Sequence, residues 1–247
     1  MGRLYVRGRE PLPSTLGVEM EVAEVWRYPV KSMAGEQLTL AELGPDGLPW
    51  DRGIAAFDRS SRRPDHPLSA RRLPGLLRFG ARVADGQVVV EGAQLPPTPW
   101  RDPAVQQCLS EVCGRRLELA EVEGGAFDDA PLHLVLLPSV AAVSAELGRT
   151  VDRRRFRANL FVTAPGLGPG AERGWVGSKL GIAMVVLRVV AECPRCAVTT
   201  RDPDSHESWP ALLRHLAATR EAMMGVYATV STPGMVARGD NLTVLET

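Results

Sequence analysis

The chain has 247 residues, with 29 basic and 29 acidic side chains and so no net charge at pH 7. That balance excludes a nucleic-acid partner held by overall charge. No stretch approaches the roughly 18 consecutive apolar residues of a membrane span, and the opening residues lack an apolar core followed by a small-residue cleavage site. The sequence therefore reads as a soluble cytoplasmic protein without a membrane partner. Its four cysteines then point to reduced, catalytic or metal-binding thiols rather than to a disulfide framework.

Residues 1–18 mix Arg, Gly and Pro without a period and read as a loose arm. From Glu21 to Tyr28 polar and apolar residues alternate as in a half-buried strand, which Pro29 closes, leaving Lys31 and Ser32 in the following loop. Gln37 to Leu43 alternates again and ends in the turn cluster Gly44-Pro45-Asp46-Gly47. Arg52 to Asp58 is the next expected strand, with Arg52 at its mouth, and Arg59 to Pro67 a basic loop. Arg78–Ala84 and Gln87–Glu91, joined by Asp85-Gly86, predict a hairpin.

Pro96 to Pro99 reads as a bridging loop. A helix is expected over Asp102 to Val112, with Asp102 as N-cap, Pro103 in the first turn, Gly114 closing it, and Cys108 and Cys113 as core thiols. The apolar run Leu132 to Leu137 leads to a helix capped by Ser139 and continuing to Leu147. Beyond it come a strand from Phe156 to Thr163, a Gly-rich loop from Pro165 to Arg173 and a strand pair over Lys179 to Val190. A helix over Pro210 to Met224 and strands at Tyr227–Val230 and Asn241–Leu245 complete the chain. Short strands, turn signals, few helices and no βαβ rhythm predict a β-rich, barrel-like α+β fold. There is no repeat, P-loop or Gly-x-Gly-x-x-Gly, hence no flavin or nicotinamide site, and no iron–sulfur motif.

Chemistry concentrates at Cys193-Pro194-Arg195-Cys196, at the end of a strand-like run. Four readings fit the residues. A redox dithiol needs a helix start after the strand, which Thr199, Thr200 and Pro203 disfavour. Zinc would have to recruit His206 and His215 at an unusual spacing. Two buried loop thiols are the plain structural alternative. The fourth reading is one thiolate bound to a soft metal, with Arg195 holding that thiolate or an anionic cofactor beside it. The four histidines form no triad pattern, which argues against nucleophilic hydrolysis.

Cys193-Pro194-Arg195-Cys196 followed by Thr199-Thr200-Arg201-Asp202-Pro203-Asp204 resembles the signature of the MOSC family, the domain of molybdenum cofactor sulfurase C-termini and of amidoxime-reducing components. Tyr28-Pro29-Val30-Lys31-Ser32, Trp50-Asp51-Arg52, Ser69-Ala70-Arg71, Asp129-Ala130-Pro131, Arg155-Phe156-Arg157-Ala158-Asn159 and Pro233-Gly234 through Gly239-Asp240 resemble further blocks of that family, in its order. The resemblance implies an N-terminal β-barrel-like subdomain over 19–122, a MOSC domain over 123–247, and a bound molybdenum–molybdopterin cofactor.

By the same resemblance Cys196 is the molybdenum ligand and catalytic residue, and Cys193 a supporting one. Lys31, Ser32 and Arg52 would hold the pterin phosphate, with Ser69 and Arg71 as further contacts. Asp129, Arg157, Asn159 and Arg195 would face the pterin and metal. These residue types suit the task, since a phosphate wants cations and a hydroxyl, and a pterin edge wants directional Asp and Asn partners. The implied activity is reduction of N-oxygenated small molecules such as hydroxylamines or amidoximes, with electrons from a separate electron-transfer protein. The alternative is a cofactor carrier or sulfur-transfer domain using Cys196. Ala158 stands where the family commonly has proline, and the segment Ser205–Gly225, which would shape substrate access, is short beside the amidoxime-reducing members.

Overall fold

The computed structural model describes residues 18–92 and 94–246; the arm expected over 1–18 lies outside them apart from Val18. Strand β1 (Met20–Arg27) buries Met20, Val22 and Val25, and a bulge between Val22 and Glu24 shifts its alternation by one residue so that Val25 still meets the core. β2 (Glu36–Leu38), β3 (Leu40–Leu43) and β4 (Ile54–Phe57) follow. β5 (Phe79–Ala84), β6 (Gln87–Gly92) and β7 (Leu95–Pro99) form a three-stranded sheet. Helix α1 (Pro103–Cys113) starts at Asp102, whose carboxylate accepts from the Ala104 N–H, and ends at left-handed Gly114. β8 (Glu118–Glu121) pairs with β4. These elements enclose one core around Ile54, Leu76, Phe79, Val90 and Leu109.

The second half supplies β9 (Leu132–Leu136), α2 (Leu137–Glu146), β10 (Leu160–Thr163), β11 (Lys179–Ile182), β12 (Val185–Pro194), α3 (Pro210–Arg220), β13 (Met223–Thr232), β14 (Gly234–Ala237) and β15 (Asn241–Glu246). Seven strands close a barrel in the order β10-β9-β13-β12-β11-β15-β1 and back to β10, all neighbours antiparallel except β9 and β10. Closure leaves no free edge, and the interior is filled by Val22, Leu134, Val162, Trp175, Leu187 and Val226. The expected barrel-like α+β architecture is thus present. Because β1 comes from the start of the chain, residues 20–27 build the barrel with residues 132–246, while residues 54–121 surround the other core.

Several local expectations are corrected. Leu95–Pro99 is a strand rather than a bridging loop, because at the edge of its sheet only one side needs donors, and the prolines cost the ladder little. Gln37–Leu43 is split between β2 and β3, and the strand expected from Phe156 starts only at Leu160. Residues Arg153–Phe156 instead form a 3-10 turn started by Asp152, and Arg157 is left-handed at φ 55°. Ser139 does not cap α2, which begins at Leu137; its hydroxyl donates to buried Glu172 (2.8 Å) and accepts from the Gly170 N–H. Helix α3 stops at Arg220, because Glu221 and Ala222 turn left-handed and lead straight into β13.

Gly225 is required where it stands. Its φ is 78°, and a Cβ there would lie 2.4 Å from the Leu134 carbonyl oxygen and 2.6 Å from His133 Nε2. Gly225→Ala is therefore expected to lose about 2–3 kcal/mol, measured by urea unfolding.

Candidate functional site

The site begins where β1 ends. The Tyr28 N–H donates to Asp51 Oδ1 (2.7 Å), and the other oxygen of this buried carboxylate takes the Arg52 guanidinium. Arg52 has a left-handed backbone (φ 51°), so its side chain turns inward rather than along the loop. It donates to Asn159 Oδ1 (3.2 Å) and the Arg157 carbonyl (3.0 Å), its guanidinium 4.9 Å from the centre of the Tyr28 ring. Burial opposes its charge, but Asp51 outweighs this and holds its pKa above the ordinary value.

Arg157 stacks on Tyr28 at 4.4 Å. Burial pulls its pKa down to about 10, and its buried Nη2 has no hydrogen-bond partner among the described residues. Burial pushes the Tyr28 hydroxyl up to about 12, against the pull of both guanidinium groups. Asn159 is fully buried: its carbonyl oxygen accepts from Arg52 and from the His133 N–H (3.2 Å), and its amide donates to the Trp26 carbonyl (3.1 Å). This side chain straps β1, β9 and Arg52 together.

Lys31 donates to the Ala126 carbonyl (2.6 Å) and to Asp128 (2.9 Å); burial raises the Asp128 carboxyl, but Lys31, Arg52 and Arg71 together hold it below its usual range. Ser32 Oγ accepts from the Ala70 N–H (2.9 Å), leaving the hydroxyl hydrogen to point elsewhere.

The two cysteines occupy different surroundings. Cys193 is 1% exposed, packs against Ala130 and Tyr227, and accepts from Arg195 Nη1 (2.8 Å). Arg195 also donates to the Phe156 carbonyl (2.8 Å) and Thr199 (3.3 Å). The guanidinium beside Cys196 belongs to Arg71, whose pKa is raised first by hydrogen bonding to that sulfur. Burial, and then Cys193, push the Tyr227 hydroxyl well above its ordinary value.

Lys31, Ser32, Arg52, Ser69, Arg71, Arg157, Asn159, Arg195 and Cys196 all line one cavity, whose space including its open mouth is about 760 Å³. Asp129 does not line it; Asp128 does. Sequence reasoning also missed His133, Phe127 and Tyr227 as wall residues. Every residue of β9 is buried, so no alternation reveals which face His133 takes. Among the described residues no three His, Cys, Asp or Glu side chains gather as a cation site, and His215 bonds Glu146 (2.6 Å) rather than facing the cysteines.

His133 donates from Nε2 to the Met224 carbonyl (3.1 Å), and burial, followed by Arg195, holds its pKa well below 6.5. The folded protein keeps it neutral while the unfolded chain takes up a proton, so stability is unaffected above pH 6.5 and falls as pH drops below it. Between roughly pH 6.5 and 5.5 this group should cost about 1 kcal/mol. His133→Gln, which can keep the donor, is expected to flatten that fall in urea melts.

Residues 120–243 match the MOSC domain and residues 19–113 the MOSC N-terminal beta barrel domain. The chain belongs to the MOSC domain family. It is similar to "Mitochondrial amidoxime reducing component 2" of Rattus norvegicus, with 24% identity over 74% of this chain and 67% of that protein. To "Mitochondrial amidoxime-reducing component 1" of Mus musculus the identity is 25%, over 74% of this chain and 66% of that one. The chain thus spans about two thirds of the length of these relatives. The crystal structure of the YUAD protein from Bacillus subtilis has the same fold, with a TM-score of 0.51 and 13% identity over 93% of this chain and 97% of that one. No helix among the described residues is long and apolar enough to cross a membrane.

Proposed function

We propose that the cavity binds a molybdenum–molybdopterin cofactor and that the protein uses it to reduce N-oxygenated compounds, with Cys196 as metal ligand. The observation that carries this reading is that a cationic grip and a half-buried thiol lie in one cavity. Lys31, Ser32 and Arg52 offer the cations and the hydroxyl that a terminal phosphate would need, and Cys196 hydrogen-bonds the Arg71 guanidinium. The orphaned Nη2 of Arg157 adds a directional donor for a pterin acceptor, so the residues present fit the group. Asp128, with Asp129 next to it, would supply a carboxylate acceptor, while Asn159 and Arg195 would act by holding the walls.

When bound, the cofactor would supply the two-electron chemistry. In the balanced reaction the N–O bond breaks, two electrons and two protons are taken up, and an N–H product and water leave. The two electrons need a donor, which on this reading is a separate electron-transfer protein. The names of the mammalian relatives support the N-oxygenated substrate class.

The test is reduction of benzamidoxime and a simple hydroxylamine by protein expressed in a host that makes the cofactor, with an artificial donor. Turnover proportional to bound molybdenum is expected. Full loading without turnover on several N-oxygenated compounds would overturn the reductase reading in favour of a cofactor carrier.

A further inference from the structure

We propose that a groove beside Cys196 seats the body of the substrate and selects apolar N-oxygenated compounds that carry a carboxylate. This rests on the redox reading above and names its substrate class. The groove runs between residues 70–74 and α3; it shares Arg71 with the cofactor cavity and includes Ala197, the residue after Cys196. Ala70, Leu213 and Ala217 give it an apolar floor, and Arg71, Arg201 and Arg214 give it three cations, with no acidic residue in its lining.

Arg71 is hydrogen-bonded to Cys196, whereas Arg201 and Arg214 have no ion-pair partner among the described residues. The nearby carboxylates Asp202 and Asp204 are committed to Arg155 and Arg154, each at 2.6 Å. Among the described residues the Arg201 side chain reaches the His206 carbonyl, at 3.4 Å. Arg214 is exposed and forms no ion pair among the described residues, because its helical neighbours three and four positions away are Pro210, Ala211, Ala217 and Ala218.

Guanidinium forks match a planar carboxylate, and apolar floors with a few placed polar groups are the usual make-up of small-molecule sites. A neutral ligand would gain only the floor, and a cationic one would be repelled. The reducible N–O group would lie toward Cys196 and the carboxylate toward Arg214.

The experiment is calorimetric titration of the purified protein with para-carboxybenzamidoxime and with benzamidoxime. The carboxylate is expected to bind about tenfold more tightly. That preference should vanish in Arg214→Ala and persist in Arg188→Ala, an exposed arginine of β12 outside the groove. Equal affinity, no binding of either compound, or a preference that survives Arg214→Ala overturns the proposal. Turnover is read separately. Carboxylate-dependent binding without any reduction by the molybdenum-loaded protein would leave the groove standing and sink the redox reading. Reduction of both compounds with equal affinity would do the reverse.

Discussion

Cys196→Ser should leave the fold unchanged and lower bound molybdenum to below about a tenth of the wild-type content, since a hydroxyl is a poor ligand for a soft metal at neutral pH. Cys196 is half-buried in the cavity wall and follows β12 rather than lying inside it, so its sulfur carries little of the packing. Cys193 is the opposite case. It is 1% exposed and held by Arg195 at 2.8 Å beside Tyr227, so Cys193→Ser should cost about 1–2 kcal/mol while retaining metal. Metal content by plasma mass spectrometry and thermal melting on both variants separate the roles. Metal loss that follows Cys193 instead, or full metal in Cys196→Ser, would reverse the assignment of the two sulfurs.

The contrast shows what kind of information sequence carries. Spacing distinguishes neither sulfur in a Cys-x-x-Cys; the strand end does, by placing one thiol among Ala130 and Tyr227 and the next past the last ladder pairing at Pro194. The same holds for Asp128 and Asp129, adjacent carboxylates of which only one lines the cavity. Arg195 had the right residue type for the thiolate beside it, yet its guanidinium folds back onto Cys193, Phe156 and Thr199, and the neighbour of Cys196 comes from a loop some 125 positions away in the chain, at Arg71. Alternation in β1 was readable from Glu21 onward, because a half-buried strand writes its faces into the sequence. That this strand would close a barrel against β10 and β15 was not, because closure is decided by pairings across more than a hundred residues. Leu95–Pro99 was misread for a related reason: proline forbids a central strand but is silent about an edge.

Asp51→Ala is expected to be the most destabilising substitution at the site, at about 3–5 kcal/mol by urea unfolding, because it strips the directly bonded carboxylate from a largely buried cation. The Asp51 side chain is fully inaccessible; one oxygen satisfies the Tyr28 N–H and the other the Arg52 guanidinium. Removing it leaves Arg52 with the Asn159 and Arg157 carbonyl oxygens as acceptors and no directly bonded carboxylate, beside Arg157 on the same Tyr28 ring. Asp51→Asn keeps an acceptor for the Tyr28 N–H but still removes the charge facing Arg52, so it should lose most of that, about 2–4 kcal/mol. The cycle with Arg52→Ala tests the cause. If the uncompensated cation is what costs stability, the double variant should be more stable than the sum of the single losses predicts by at least about 2 kcal/mol. Strict additivity would mean that Asp51 acts only through the Tyr28 N–H, and that Arg52 is free to leave its wall position without disturbing the junction between β1 and the barrel.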